Sequence, residues 1–312
     1  MKDYEIVIDC TCDLNEEVRK QFGIYNDYFH GIIYIPGRED KLSDLSYSDI
    51  KSDEYYALIK KHAGKVRTAF ATFEEFSRVV KPILESDKDI IVVTISSALS
   101  GTYNGYLNYA KIILEDYPGA RIEVVDSLKY ASASGLVAIY AALNKQKGMS
   151  LDDNLNSLSA IIPCIHESGP MDDLFFLAKN GRIAAPKAFF GQLAGVQPVA
   201  DFTRDGKSMP LGTIKGSKNV DKFSLEYLLK TIKNPEEQVV IVAHSNRLER
   251  AKRYKEQLEK ALKVKQIIIH EVAQSCAPNI GPGLCVYFYV GDEISLDREK
   301  ENKLYSELKA NL

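Results

Sequence analysis

Short apolar runs alternate with amphipathic stretches through the first half of the chain. Four β-branched runs, at 5–9, 29–35, 89–95 and 121–127, read as strands. Between them Thr72-Phe73-Glu74-Glu75 is a capping box, and Phe76, Val79, Val80 and Ile83 give the helix that follows one apolar face. A second helical stripe is Tyr103, Leu107, Ala110 and Leu114; a third is Leu136, Ile139, Tyr140 and Leu143, with Gly148 where a C-terminal cap is expected. Strands alternating with helices predict an α/β fold whose N-terminal part is a doubly wound, mostly parallel sheet.

The pattern changes near residue 150. Ser150 opens a helix with Leu151, Leu155, Leu158 and Ile162 inward. An extended segment at 163–168 and a short helix ending at Gly181 follow, then a loop rich in Ala, Phe and Gly. Residues 198–214 predict a hairpin turning at Asp205-Gly206. Two apolar strands bracket a charged helix (247–262) with Leu248, Ala251, Leu258 and Leu262 inward, another strand starts at Leu284, and a terminal helix follows Ser295. This predicts two domains, 1–150 and 151–312, the second an α/β domain with a mixed or antiparallel sheet.

Composition narrows the class of partner. A formal net charge of −3, with no block of Lys or Arg, leaves nothing to neutralise phosphates, so nucleic acid is not the expected partner. Apolar runs of about five to seven residues fall well short of the roughly 20 needed to span a bilayer, so an integral membrane protein is not expected. No signal peptide is read at the N-terminus, which points to the cytoplasm. Cys10, Cys12, Cys164, Cys276 and Cys285 are odd in number and irregular in spacing, as expected of reduced, mostly buried thiols.

Ligands of open α/β sheets gather at the carboxyl ends of the strands, and here those ends are rich in hydroxyls. They read Asp9-Cys10-Thr11-Cys12-Asp13, Arg67-Thr68-Ala69, Ser96-Ser97-Ala98-Leu99-Ser100-Gly101-Thr102 and Asp126-Ser127. The segment 96–102 lacks the signatures of a P-loop and of a dinucleotide fold, and carries no Lys or Arg of its own. Its neutral donors suit a singly charged carboxylate better than a triphosphate. Arg182, directly after Gly181, is a further candidate to hold an anion, while Phe175, Phe176, Phe189, Phe190 and Leu193 are candidates to line an acyl tunnel.

Catalytic constellations are scarce. There is no G-x-S-x-G elbow, the five histidines are scattered, and no metal-ligand spacing occurs. Neither a cofactor nor a metal is expected. The alternative is a serine-dependent hydrolase or transferase acting on an acyl or phosphoryl ester, with Ser96, Ser97 or Ser100 as nucleophile, for which no general base is evident.

Taken in order, the segments IVIDCTCDL, Phe22-Gly23-Ile24, ISSALSGTY, VVDS, Lys179-Asn180-Gly181-Arg182-Ile183, Gln197-Pro198-Val199 and Gly281-Pro282-Gly283 resemble the DegV family of bacterial fatty-acid-binding proteins along nearly the whole chain. The resemblance implies a non-catalytic protein that holds a long-chain fatty acid between two α/β domains. It implies that Thr68 and one or more of Ser96, Ser97 and Ser100 hold the carboxylate, and that a fatty acid kinase is the partner to which the acyl group is presented. Three departures stand out. Thr68-Ala69-Phe70-Ala71 replaces the family's Thr-Ser-Gln-Pro, Asn279 stands where a histidine is usual, and Lys215 stands where an arginine follows the hairpin. Asn279 keeps a neutral donor at its position but cannot become a cation.

Overall fold

The computed structural model describes residues 2–172, 174–183 and 195–312; Phe189, Phe190 and Leu193 lie outside them. The chain forms two units that are not consecutive in sequence. The first comprises residues up to Asp49, Val66–Ile162 and Ala273–Ser275; the second comprises Ile50–Lys65, Pro163–Val272 and Cys276–Leu312. Side-chain bonds explain both excursions. Within the second unit Tyr56 Oη donates to the Val272 carbonyl at 3.3 Å. Within the first, Ala273 N donates to Asp13 Oδ1 at 3.0 Å and Gln274 Nε2 to Asp49 Oδ1 at 2.8 Å.

The first unit runs β1 (Tyr4–Ile8), α1 (Glu16–Phe22), β2 (Ile32–Tyr34) and β3 (Lys41–Leu42). After α2 (Ser52–His62), which belongs to the second unit, it continues with β4 (Arg67–Ala69), α3 (Phe73–Glu85), β5 (Asp89–Thr94), α4 (Thr102–Leu114), β6 (Ile122–Asp126), α5 (Ser132–Gln146) and α6 (Leu151–Ile161). β1, β5 and β6 form a parallel sheet with β5 in the middle. All six β5 residues are buried, as a central parallel strand covered on both faces requires. Val7, Val92, Phe76, Val80, Tyr106 and Ile113 share one core with α3 and α4. α5 is buried on nearly every side; a Cβ on Gly135 would come within 2.7 Å of Leu14, so only glycine lets the helix lie this close to the 9–14 loop.

Two local expectations shift. The run at 29–35 is not one strand of the parallel sheet: Phe29 bridges Asp9, whereas Ile32–Tyr34 forms a small antiparallel sheet with β3 and β4. The break falls at His30 and Gly31, whose N–H groups go to side chains, Glu75 for His30 and Ser43 and Cys10 for Gly31, instead of to a ladder. In α4 the inward residues are Thr102, Tyr106, Ala110 and Ile113, and Leu107 is 38% exposed. Tyr106 takes the inward position because its ring packs on Phe29 and Phe76 at centroid distances of 5.0 and 5.1 Å.

The second unit adds to α2 the elements β7 (Ile165–Ser168), α7 (Phe175–Lys179), β8 (Val196–Phe202), β9 (Ser208–Lys215), α8 (Ser217–Thr231), β10 (Val239–His244), α9 (Leu248–Ala261), β11 (Gln266–Glu271), α10 (Ala277–Ile280), β12 (Cys285–Val290) and α11 (Glu299–Lys309). Its mixed sheet has the order β11-β10-β12-β7, with β10 and β11 parallel and β12 antiparallel to both its neighbours. β8 and β9 form the hairpin, with Gly206 in the turn. One core joins α9 to β10 and β12, and another joins the hairpin to α8 and α11. Leu248, expected inward, is 47% exposed because it is the first residue of α9, ahead of the turn that buries Arg250 and Ala251.

Candidate functional site

At the carboxyl edge of the first unit's parallel sheet, each strand end is fixed by its own side chains. After β1, Asp9 is buried, and its Oδ1 accepts from Thr11 N at 2.8 Å, from the Thr11 hydroxyl and from Cys12 Sγ at 3.9 Å. Asp13, in the left-handed region at φ 59°, accepts from Ser132 Oγ at 3.1 Å and from Ala273 N. Burial pushes the Asp9 carboxyl up to about 6 and that of Asp13 to about 7, only partly opposed by these donors. The Cys10 thiol is pushed up to about 12, by burial first and then by Asp9, which makes it a poor nucleophile. Its sulfur accepts from Gly31 N at 3.2 Å and from Ser275 Oγ at 2.9 Å. All five cysteines are free thiols, and no cluster of metal-ligating side chains occurs among the described residues.

After β5 the chain makes the hydroxyl-rich turn into α4. Ser96 is buried; its N–H donates to the Lys129 carbonyl at 2.8 Å, its carbonyl accepts from Leu99 N and Ser100 N, and its Oγ accepts from Ala98 N at 3.2 Å. Ser97 is exposed, and its N–H donates to Asp126 Oδ1 at 3.1 Å. Ser100 Oγ lies 2.8 Å from Thr102 Oγ1 and accepts from Thr102 N, so it serves the start of α4. Ser96, Ser97 and Ser100 therefore share one turn at the N-terminus of a 13-residue helix with no acidic residue in its first turn, an arrangement suited to an anion.

Thr68 stands elsewhere in the first unit, half-buried on β4 opposite Ile33 in the small antiparallel sheet. Phe70, two residues on, lies against α4, where an added Cβ would stand 3.9 Å from its ring at Gly101 and 2.5 Å at Gly105. Phe70 therefore packs on the helix that follows the Ser96–Ser100 turn, two residues beyond Thr68. Arg182 and Asn279 lie in the second unit. Arg182 is exposed after α7, its side chain donating to the Asn180 carbonyl, and Asn279 is half-buried in α10. Asn180 Nδ2 in turn donates to the Pro278 carbonyl at 3.2 Å, linking those two segments. Phe176 is buried and Phe175 is 41% exposed.

Sequence reasoning missed Lys129. It is 1% exposed, and lysines are almost never buried unless paired. Its carbonyl receives the Ser96 N–H, and its N–H donates to Ser127 Oγ at 3.1 Å. Leu128 and Ala131 on either side hold positive φ angles of 51° and 52°, so strain is concentrated in this turn. The available signal was a cation three residues after the β6 end, which periodicity alone does not mark as buried. Two buried histidines of the second unit, His244 and His270, are neutral at physiological pH, since burial lowers both to about 4.

Comparison with known proteins agrees with this architecture. A DegV domain-containing protein of Streptococcus pyogenes is 28% identical over 289 residues, covering 92% of this chain and 98% of its own. One from Clostridium perfringens is 27% identical over 292 residues, covering 94% and 99%. Among solved structures, a stearic acid-binding protein from Eubacterium ventriosum superposes with a TM-score of 0.80 at 23% identity, covering 93% of this chain and 99% of its own. A DegV family protein from Thermus thermophilus, described for its fatty acid binding, gives 0.79 at 23%, covering 93% and 100%. The family model described as uncharacterised proteins of the DegV family matches residues 3–292, and the chain belongs to the DegV family.

Proposed function

We propose that this protein binds a long-chain fatty acid without transforming it and presents the acyl group to a fatty acid kinase. The observation that carries the reading is the Ser96–Ser100 turn, a set of neutral donors at a helix N-terminus, with Thr68 two residues before the Phe70 ring that packs on that helix. Such a set suits a carboxylate, and proteins of the same fold are described with stearic, heptadecanoic and vaccenic acids. The alkyl chain contributes most of the affinity, at about 0.8 kcal/mol per buried CH₂, and the donors orient the head group. Arg182 and Asn279 are proposed as further donors to the anion.

A carrier role is supported by how the serines are used. Ser96 and Ser100 are engaged in turn and helix-start bonds, and no histidine or carboxylate accepts from the Ser96, Ser97 or Ser100 hydroxyls among the described residues. Five free thiols accord with work in the reducing cytoplasm. No described helix is long and apolar enough to cross a membrane. Native mass spectrometry of the purified protein, followed by organic extraction, tests the proposal. A stoichiometric fatty acid that is weakened in Thr68→Ala and Ser97→Ala is expected; a protein that is empty and refuses added palmitate overturns it.

A further inference from the structure

One oxygen at this sheet edge has no use in the fold. Asp9 Oδ1 is satisfied three times over within its own loop, whereas Oδ2, equally buried, has no hydrogen-bond partner among the described residues. Buried polar atoms are ordinarily paired, and a carboxylate oxygen can only accept unless it carries a proton.

The surroundings of Asp9 are those of the candidate site. β1 and β5 pair in register up to Ile8 and Val93, so Asp9 continues beside Thr94, two residues before Ser96. Tyr106, on the second turn of α4, feels the Asp9 charge, and its hydroxyl accepts from Ala71 N at 3.4 Å, three residues after Thr68. The titratable groups that sense Asp9 are Cys10 and Asp13 on its own loop and Tyr106 on α4, with the Cys12 thiol bonded to Oδ1. Phe29 and Phe76, from β2's approach and α3, close the apolar side around Tyr106. None of these groups is a cation.

We propose that Asp9 is a head-group-positioning residue: with a proton on Oδ2 it donates a hydrogen bond to the carboxylate of the bound fatty acid. This rests on the fatty-acid reading above. Two carboxylates in one enclosed place cannot both stay ionised, so one proton is held between them. Free Asp9 sits near 6, and a second anion raises it further. At pH 7.5 the free protein has largely lost this proton and must take it up on binding. Affinity is then greatest in mild acid and declines as pH rises, at most tenfold per pH unit.

The test is calorimetric titration of the full-length protein and of Asp9→Asn with palmitate, in two buffers of different ionisation heat, from pH 6 to 8.5. The fatty acid's own titration is common to both proteins, so the difference between them reports Asp9. The expected result is close to one more proton taken up by the wild type at pH 7.5, with its steeper pH slope absent in Asp9→Asn. Equal proton uptake and equal slopes overturn the proposal while leaving fatty-acid binding intact. Failure of both proteins to bind palmitate overturns the fatty-acid reading and this proposal with it. If Asp9→Asn does not fold, infrared difference spectra of the wild type decide instead. A protonated-carboxyl C=O band gained on binding at pH 7.5 supports the proposal, and no such band overturns it.

Discussion

Phe70 rests on Gly105, so closely that a Cβ on that glycine would come within 2.5 Å of the ring. Alanine in a helix interior is normally worth up to about 1 kcal/mol over glycine. Here that gain is opposed by the ring, which is half-buried and must swing aside. Gly105→Ala is expected to be neutral or destabilising in the wild type, and stabilising by about 0.5–1 kcal/mol in Phe70→Ala. Urea unfolding of the four proteins of this cycle measures the coupling. Displacing Phe70 should also weaken palmitate binding, because its ring packs on the helix that carries the serine turn.

Stability should fall as pH rises from 5 to 8. Asp9 and Asp13 have folded-state values of about 6 and about 7, both above the unfolded value near 4. The stability linked to them is therefore full below about pH 4 and is lost as pH rises through 6 and 7. At roughly 1.4 kcal/mol per pKa unit, Asp9 accounts for about 3 kcal/mol and Asp13 for about 4 kcal/mol. Asp13→Asn, which keeps an acceptor for Ala273 N and tolerates the left-handed backbone, should remove about half of the slope in urea midpoints. Asp201 acts in the opposite sense. Burial works to raise its carboxyl, but the His166 charge and the donors Glu167 N and Tyr227 Oη outweigh it and hold it low. Its contribution persists until pH drops below the ordinary carboxylate range.

His166 should be an imidazolium inside the second unit. Its Nδ1 lies 2.6 Å from Asp201 Oδ2 and its Nε2 lies 2.7 Å from the Asp292 carbonyl, and two acceptors require two N–H donors. Asp201→Ala removes the counter-charge of a buried cation and is expected to cost about 3–5 kcal/mol. Nitrogen-15 shifts of the imidazole in the wild type check the protonation state independently of the variant.

Ser97→Ala should separate binding from folding. Ser97 is exposed and holds its turn through its N–H, so its melting temperature should stay within a degree or two while palmitate affinity drops about fivefold, the value of one neutral hydrogen bond. Ser96→Ala, which loses a buried acceptor for Ala98 N, should lower both. Thr68→Val, nearly isosteric, should lower affinity alone.

Much of this was legible locally. The Thr72 cap, the Ser150 cap, the hairpin at Gly206 and the apolar centre of β5 each follow from a few adjacent residues. The serine turn was legible for the same reason, because small hydroxyl residues between an apolar strand and a helix make turns and helix starts. The rotated face of α4 was not, since it depends on which of Tyr103 and Tyr106 meets Phe29 and Phe76 from distant segments. Nor were the burial of Lys129 and the raised acids at Asp9 and Asp13. Those follow from desolvation, which is set by everything packed around a group, including residues 273–275.

That last tripeptide bears on how the chain is made. Asp13 and Cys10 receive donors from Ala273 and Ser275, so the amino-terminal unit cannot finish its own hydroxyl edge when Ile162 leaves the ribosome. It must wait for roughly 110 more residues to be synthesised. A nascent chain arrested before that point would carry the α/β scaffold with the buried Asp13 carboxyl and Cys10 thiol each short of a donor. The hydroxyl edge is thus completed only once residues 273–275 have been made.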